Sequence, residues 1–562
     1  MKIRTLVHFL SVRCRMDFLR KVAKLFGADP ARAVAKAKDF FRAAQDVKGV
    51  AGMIDIPKVL NPEKVLLGDR AALHERVSGK KNFDAVVAHI RERAQSQKII
   101  EIGLSRYNFF RIRQMYRLCL ESLRGGVEDG RVFTEPFKFF PVENLAKELS
   151  ATIEELNKIH PAIRIGWYDQ ELPEIFETAE MNARLYPFRK DDLARMLGVI
   201  FEEAIMGPQV IVLDPYHRCN IKCAHCFVHN PLIHHPEEFL DRKIDLQKFK
   251  EIVDDAAELG TDRIILQGDG EPLMHPDFLE MVAYVRAQGI KPVFFTNGAL
   301  LTREIAERIL ALEVREIYCS LPAGTAETYS KVCLESGSND LFERTVENMR
   351  TLMELKKRSG KSFPRVIMTH VIHSMNFHEL ISMAEMDVHI GTDAARFYMI
   401  RIDENNGHLR LTKEQLAIMK RDLPKAEEVL KKAGIDFIRS LKFQFEHYDE
   451  ESGAWSKDVF LKEGCTIGWT FCLIPALGDL SMCCHLRTLG DLKQSRLKEL
   501  WQSDYYRQKR IEAKFLSKNT EVRCLNGVKL YDEHCNHCDN HQNLLDMTQG
   551  LKEFGLYQFF KA

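Results

Sequence analysis

The chain has 562 residues, 45% of them apolar and 29% charged, with a formal net charge of +1. That length is too great for one ordinary domain, and the near-balance of charge gives no global electrostatic case for nucleic acid or an acidic partner. No run of about 18 uninterrupted apolar residues occurs, so no transmembrane helix is expected, and the cytoplasm is the default compartment.

Residues 1–26 carry seven Lys/Arg against one Asp, with Phe9, Val12, Met16, Leu19, Val22 and Phe26 at helical spacing. Such a helix could lie on an anionic membrane surface, but one docked on its own protein with a solvated basic face is the preferred reading. The stretch to about residue 205 reads mostly as helix, for example "NFDAVVAHIRERAQSQKIIEI" and "SRYNFFRIRQMYRLCLESLRGG", and holds no motif with evident chemistry. Gly207 and Pro208 punctuate its end.

Strands then alternate with helices. The runs 209–214, 263–268, 291–297, 316–321, 365–372 and 395–401 read as strands, separated by amphipathic segments such as "DLQKFKEIVDDAAELG" and "FLEMVAYVRAQG". Six such units predict a parallel sheet, flat or curled into a partial barrel. In that architecture working residues sit at the C-terminal ends of strands. A helical connection is expected over 411–460, a cysteine-rich segment over 461–545 and a short tail over 546–562.

Fourteen cysteines are too sparse for a disulfide framework, but ten of them cluster. Cys219, Cys223 and Cys226 follow the first predicted strand directly, which is the right place for a cofactor. Structural zinc normally closes with four protein ligands, and His217, His225 or His229 could supply the fourth. Three thiolates also suit a [4Fe-4S] cluster with one iron left open for a substrate or cosubstrate. Cys14, Cys119, Cys319 and Cys333 are scattered and read as buried structural thiols.

The Cys-x3-Cys-x2-Cys loop after the first strand of a (βα)6 pattern resembles the radical SAM superfamily. The resemblance implies an α/β fold: a partial (β/α)6 barrel over 206–410, a helical N-terminal region over 1–205, and a small cysteine-rich C-terminal domain. It implies S-adenosylmethionine (SAM) bound at the open iron and a low-potential electron donor such as flavodoxin or ferredoxin. "QGDGEP" is similar to the family's GGEP element, with Asp269 in place of the second glycine, so that Gly268, Asp269, Gly270, Glu271 and Pro272 are the expected SAM-contacting segment. Glycines there let backbone approach a ligand closely, and Glu271 could pair with an ammonium. "FFTNG" and "YCSLPA" match further cofactor-contacting positions, carried here onto Asn297 and Ser320.

Cys465-x12-Gly478-x4-Cys483, Trp469 and the Cys535–Cys538 pair resemble the SPASM/twitch extension of radical SAM enzymes. The resemblance implies one auxiliary [4Fe-4S] cluster on Cys465, Cys483, Cys535 and Cys538. Cys484 is a possible substitute for Cys483, and a four-cysteine zinc site is the chemical alternative. His370, His373, Tyr398, Arg401 and Asp403 close the last two strands; of these, His370, Arg401 and Asp403 are the catalytic candidates, Arg401 also as partner of a substrate carboxylate or phosphate. Asn376 and Glu379 fit a helix N-cap with its capping-box acid.

The function expected is generation of a 5'-deoxyadenosyl radical that oxidises or modifies a peptide or small, sugar-like substrate. The alternative is a non-catalytic, zinc-stabilised binding protein.

Overall fold

The computed structural model describes residues 100–104, 116, 142–159, 163–167, 171–334, 340–438 and 441–560. The basic stretch 1–26 and nearly all of "SRYNFFRIRQMYRLCLESLRGG" lie outside them. The chain divides into two compact units, Met1–Phe201 with Leu551–Ala562, and Glu202–Gly550.

In the first unit, helices Leu145–Ile159, Glu171–Leu185 and Lys190–Phe201 bury Leu149, Leu156, Leu172, Ile175 and Leu197 at three- and four-residue spacing. The expected, mostly helical pattern is interrupted by Ile100–Leu104, which pairs in parallel with Ile163–Trp167. Both segments, "IEIGL" and "IRIGW", place apolar residues at every second position, a period of two within a run too short to outweigh the helical pattern around it.

The second unit is built on one sheet. Strands β1 (Val210–Leu213), β2 (Arg263–Leu266), β3 (Lys291–Thr296), β4 (Glu316–Ser320), β5 (Arg365–Ile372) and β6 (Ala394–Met399) pair in parallel in chain order. Helices α1 (Leu246–Glu258), α2 (Phe278–Ala287) and α3 (Arg303–Ala311) make the first crossovers; α4 (Ala326–Val332) and α5 (Leu341–Ser359) share the next, and α6 (Leu380–Ile390) the last. Capping fixes the entry of α1, where Asp245 accepts from the backbone N–H of Gln247 and Lys248. Phe249, Ile252 and Val253 of α1 and Met281, Val282 and Val285 of α2 share a core with Ile211, Ile264 and Phe294 of the sheet. Each such side chain contributes about 1.5–3 kcal/mol on burial.

Two extensions make this an open ten-stranded sheet, and the hydrophobic pattern did not predict them. After α7 (Lys413–Lys432), the three-residue β7 (Asp436–Ile438) adds in parallel to β6. From the cysteine-rich segment, β8 (Phe471–Ile474) adds in parallel to β1, and β9 (Asp479–Ser481) and β10 (Thr488–Asp491) continue antiparallel. The final order is β7-β6-β5-β4-β3-β2-β1-β8-β9-β10. Because β8 is in register with β1, Phe471 opposite Val210 and Ile474 opposite Leu213, the two cysteine groups hang from neighbouring strands. Among the described residues, no helix is long and apolar enough to cross a membrane.

Candidate functional site

The three-cysteine loop leaves the C-terminal end of β1 at Asp214. Its thiols are partly buried, and backbone N–H groups of Val228 and His229 point at Cys226 Sγ from 3.4 and 3.1 Å. Lys222–Cys223 forms a short antiparallel bridge with Cys333–Leu334, which brings Cys333 Sγ within 3.6 Å of Cys223 Sγ. Burial pushes the Cys226 thiol up to about 11 and Cys219 higher still. A thiolate in this setting needs a compensating positive charge, which iron supplies when a cluster is bound. The loop therefore fits the cluster that its spacing implies.

The glycines of "QGDGEP" are required by close approach. A side chain at Gly268 would overlap Asp214, and one at Gly270 would run into the backbone carbonyls of Tyr216 and Arg218. The cluster loop and the β2 loop thus lie backbone against backbone, and Glu271 N donates to Arg218 O at 2.8 Å. Glu271 itself is 2% exposed; its carboxylate accepts from Thr296 Oγ1 and from the Asn297 backbone N–H, both at 2.8 Å. It braces β2 against β3, rather than standing open toward an ammonium as its sequence context allowed. Asn297 donates to Asn220 Oδ1 at 2.8 Å and lies 3.9 Å from Cys219 Sγ. Ser320 ends β4, half-buried.

Asp269 meets Asp214, which sequence reasoning passed over, and His217, which it weighed only as a fourth zinc ligand. His217 Nε2 lies 3.0 Å from Asp214 Oδ2 and 3.6 Å from Asp269 Oδ2, and Asp214 and His217 are both buried. Burial, together with the negative charge of Asp214, raises the Asp269 carboxyl to about 6.

In the cysteine-rich segment, Cys465, Cys483, Cys535 and Cys538 line a single cavity whose other walls include Phe460, Ile467, Met482 and Leu516. Burial pushes Cys465 and Cys535 up to about 12. The donor set and its enclosure fit one fully thiolate-ligated cluster. Cys484 adds a further thiol beside Cys538, and His485 completes a trio whose ligand atoms lie within 4.8 Å of one another. Arg487 sends its guanidinium onto two of the four cavity thiols; nothing in the motif spacing points to it.

The structure separates the substrate-side candidates. His370 is fully buried, its Nδ1 donating to Leu321 O at 2.6 Å and its Nε2 3.0 Å from Asp387 Oδ2. It lies inside the sheet-helix layer and does not face the mouth, because β5 is buried along almost its whole length. His373 is also buried, its ring centroid 5.4 Å from that of His225. Asp403 closes a local turn by accepting from the backbone N–H of Asn405 and Asn406. Tyr398 is half-buried near Arg396, whose guanidinium sits 4.8 Å above its ring.

Arg401 is differently placed: its guanidinium lies 4.3 Å over the ring of Phe227, the residue after Cys226. Among the described residues no carboxylate lies within salt-bridge range of it. Its field reaches Asp269 on the SAM side and Cys484, His537 and Asp539 of the cysteine-rich segment.

Asn376 and Glu379 are not a capping box. The Asn376 side chain accepts from His373 N and donates to Pro322 O and Val371 O. Glu379 instead braces the entry of a different helix, α4, whose N-cap is Thr325, accepting from Gly324 N, Thr325 Oγ1 and Thr328 Oγ1. The sequence spacing suits the local cap equally well; only the packing of α6 beside α4 redirects the carboxylate.

Comparison with known proteins agrees with this geometry. Residues 213–386 match the family model of the radical SAM superfamily, and residues 465–539 match SPASM, an iron–sulfur cluster-binding domain. The chain is a radical SAM enzyme with a SPASM-type cluster domain, and its cofactors are SAM and [4Fe-4S] clusters. It is 25% identical over 305 residues to an AdoMet-dependent heme synthase of Methanosarcina barkeri, covering 53% of this chain and 83% of that one. An Fe-coproporphyrin III synthase of the same organism is 34% identical over 139 residues, 25% of this chain and 33% of its own. The mycofactocin maturase MftC of Mycobacterium tuberculosis is 30% identical over 149 residues, 26% and 36% of the two chains.

Proposed function

We propose that the enzyme oxidises a carboxylate-bearing substrate, a peptide or a small molecule, held by Arg401 between the SAM site and the cysteine-rich domain. Cys219, Cys223 and Cys226 would hold a cluster that, reduced by a flavodoxin- or ferredoxin-like donor and with SAM bound, would supply the radical chemistry for removing a substrate hydrogen atom. Cys465, Cys483, Cys535 and Cys538 would hold an auxiliary cluster, which would offer a site for the electron that oxidation releases.

The observation that carries this reading is the position of Arg401. A partly buried guanidinium held 4.3 Å over an aromatic ring, with no carboxylate in salt-bridge range among the described residues, is pre-organised for an anion. Asp269, beside His217 and with its carboxyl held near 6, is placed to take the proton that leaves an oxidised C–H or O–H group. Relatives named for haem and for mycofactocin support a substrate beyond the simplest metabolites without choosing between tetrapyrrole and peptide.

The test is 5'-deoxyadenosine formation in reconstituted enzyme given an iron tetrapyrrole carboxylate, a peptide with a free C-terminal carboxylate, or the corresponding esters and amides. Substrate-dependent formation that falls at least tenfold in kcat/KM with Arg401→Ala, or when the carboxylate is masked, is expected. Equal turnover of free and masked substrates by both enzymes would overturn the proposal, and the first two arms separate the substrate classes.

A further inference from the structure

Arg487 is 1% exposed, and every polar atom of its guanidinium is engaged. Nε donates to Leu530 O at 2.7 Å, Nη1 to Cys483 Sγ at 3.4 Å, and Nη2 both to Cys535 Sγ at 3.2 Å and to Asp532 Oδ1 at 2.9 Å. The turn joining β9 to β10 is shaped to put it there. Met482 N donates to Arg487 O at 3.0 Å to close the turn, and Leu486 takes a φ of 51°, a left-handed conformation that costs a branched side chain free energy. The exposed Leu486 side chain gains little packing in return, being 50% exposed. What the strain secures is the inward direction of the next residue.

A buried cation is costly unless it is compensated. Asp532 lies on the outer side at 23% exposure and offsets only part of that cost; on the inner side the guanidinium meets the Leu530 carbonyl and two thiols. We infer that Arg487 tunes the auxiliary iron–sulfur site, its fixed positive charge and two N–H···S hydrogen bonds favouring the reduced, more negative state of a cluster bound by Cys465, Cys483, Cys535 and Cys538. Hydrogen bonds to ligand sulfur and local net charge are among the main determinants of cluster potential, and burial strengthens both. Arg487 thereby makes the site a better electron acceptor. Asp532, paired with the same guanidinium, acts in the opposite sense. The inference rests on these four cysteines being the cluster ligands and deepens the oxidative reading above.

The experiment is an anaerobic redox titration of the reconstituted full chain, following the auxiliary cluster by EPR after Cys219, Cys223 and Cys226 have been replaced so that the other cluster is silent. Arg487→Gln is expected to lower the reduction equilibrium constant at least tenfold, about 59 mV for one electron. Arg487→Lys, which keeps the charge and loses the fork, falls between Gln and wild type. Asp532→Asn, a partly buried change that preserves an oxygen acceptor, shifts the potential upward, so the inference stays testable if Arg487→Gln does not assemble a cluster. Unchanged potentials in the variants that retain about four irons would overturn the tuning role while leaving the cluster assignment intact. Absence of any iron in the parent lacking Cys219, Cys223 and Cys226 would instead overturn the cluster assignment itself.

Discussion

His370 Nε2 lies 3.0 Å from Asp387 Oδ2, and neither side chain has any exposure to solvent. Nδ1 donates to Leu321 O, and burial raises the Asp387 carboxyl against the opposing pull of His370. The pair ties the mid-section of β5 to α6, and Phe397 of β6 lies against the same imidazole at 4.7 Å between ring centroids.

Replacing His370 with alanine leaves Asp387 buried without its partner, which costs about 3–5 kcal/mol. Chemical denaturation of His370→Ala is therefore expected to show a large loss of stability, whereas Arg401→Ala, at the mouth, leaves the midpoint close to wild type. Equal midpoints for His370→Ala and wild type would return His370 to the list of catalytic candidates.

Iron content separates the two cysteine groups. Wild type is expected to carry about eight irons with matching sulfide, and replacement of Cys219, Cys223 and Cys226 leaves about four. Replacement of Cys465, Cys483, Cys535 and Cys538 does the same from the other side. Eight irons persisting in the second variant would move the auxiliary ligands onto Cys484 or Cys524.

Gly270 packs directly on the backbone of the cluster loop, so Gly270→Ala forces the two loops apart at about 1–3 kcal/mol of overpacking. The displacement falls on Glu271 and, through it, Asn297. Binding of SAM, measured by equilibrium dialysis on iron-matched samples, is expected to weaken about tenfold, a loss of about 1.4 kcal/mol. Unchanged affinity would show that the β2 loop does not set the cofactor's position.

His373 gives a pH dependence of stability. Burial, with the positive charge of His225 and His408 as smaller causes, lowers its pKa from the ordinary 6.5 to about 2. The unfolded chain therefore takes up a proton there below about pH 6.5 that the folded chain refuses. The stability that this group contributes is present above pH 6.5 and is lost as pH falls, by about 1.4 kcal/mol per pH unit once the unfolded histidine is charged. His373→Gln is expected to flatten the slope of the denaturation midpoint between pH 6.5 and 5 by one proton. An unaltered slope would mean that the histidine protonates in the folded protein.

Much of this protein is legible in order and spacing. The six core strands fall within about two residues of their sequence positions because each is a short apolar run bounded by turn residues, and the helices between them carry a clear 3.6-residue period. The Cys219–Cys226 loop and the Cys465–Cys538 set stand out because metal ligation calls for particular residue types at particular spacings, and "QGDGEP" because close backbone approach calls for glycine. The pairing of β8 with β1 was not legible: "FCLI" is too short to show a period, and its hydrogen-bond partner is more than 250 residues distant. Nor were the roles of single polar residues. His370 and Arg401 end neighbouring stretches of similar sequence character, yet one is sealed against Asp387 and the other lies open on Phe227. Glu379 braces the entry of α4 rather than capping its own helix, and Arg487 reaches thiols on both sides of the cysteine-rich segment. Local sequence determines which backbone forms and which donor atoms are available; whether a charge is buried, paired or left free for a ligand depends on what distant segments pack against it, and only the tertiary structure decided that.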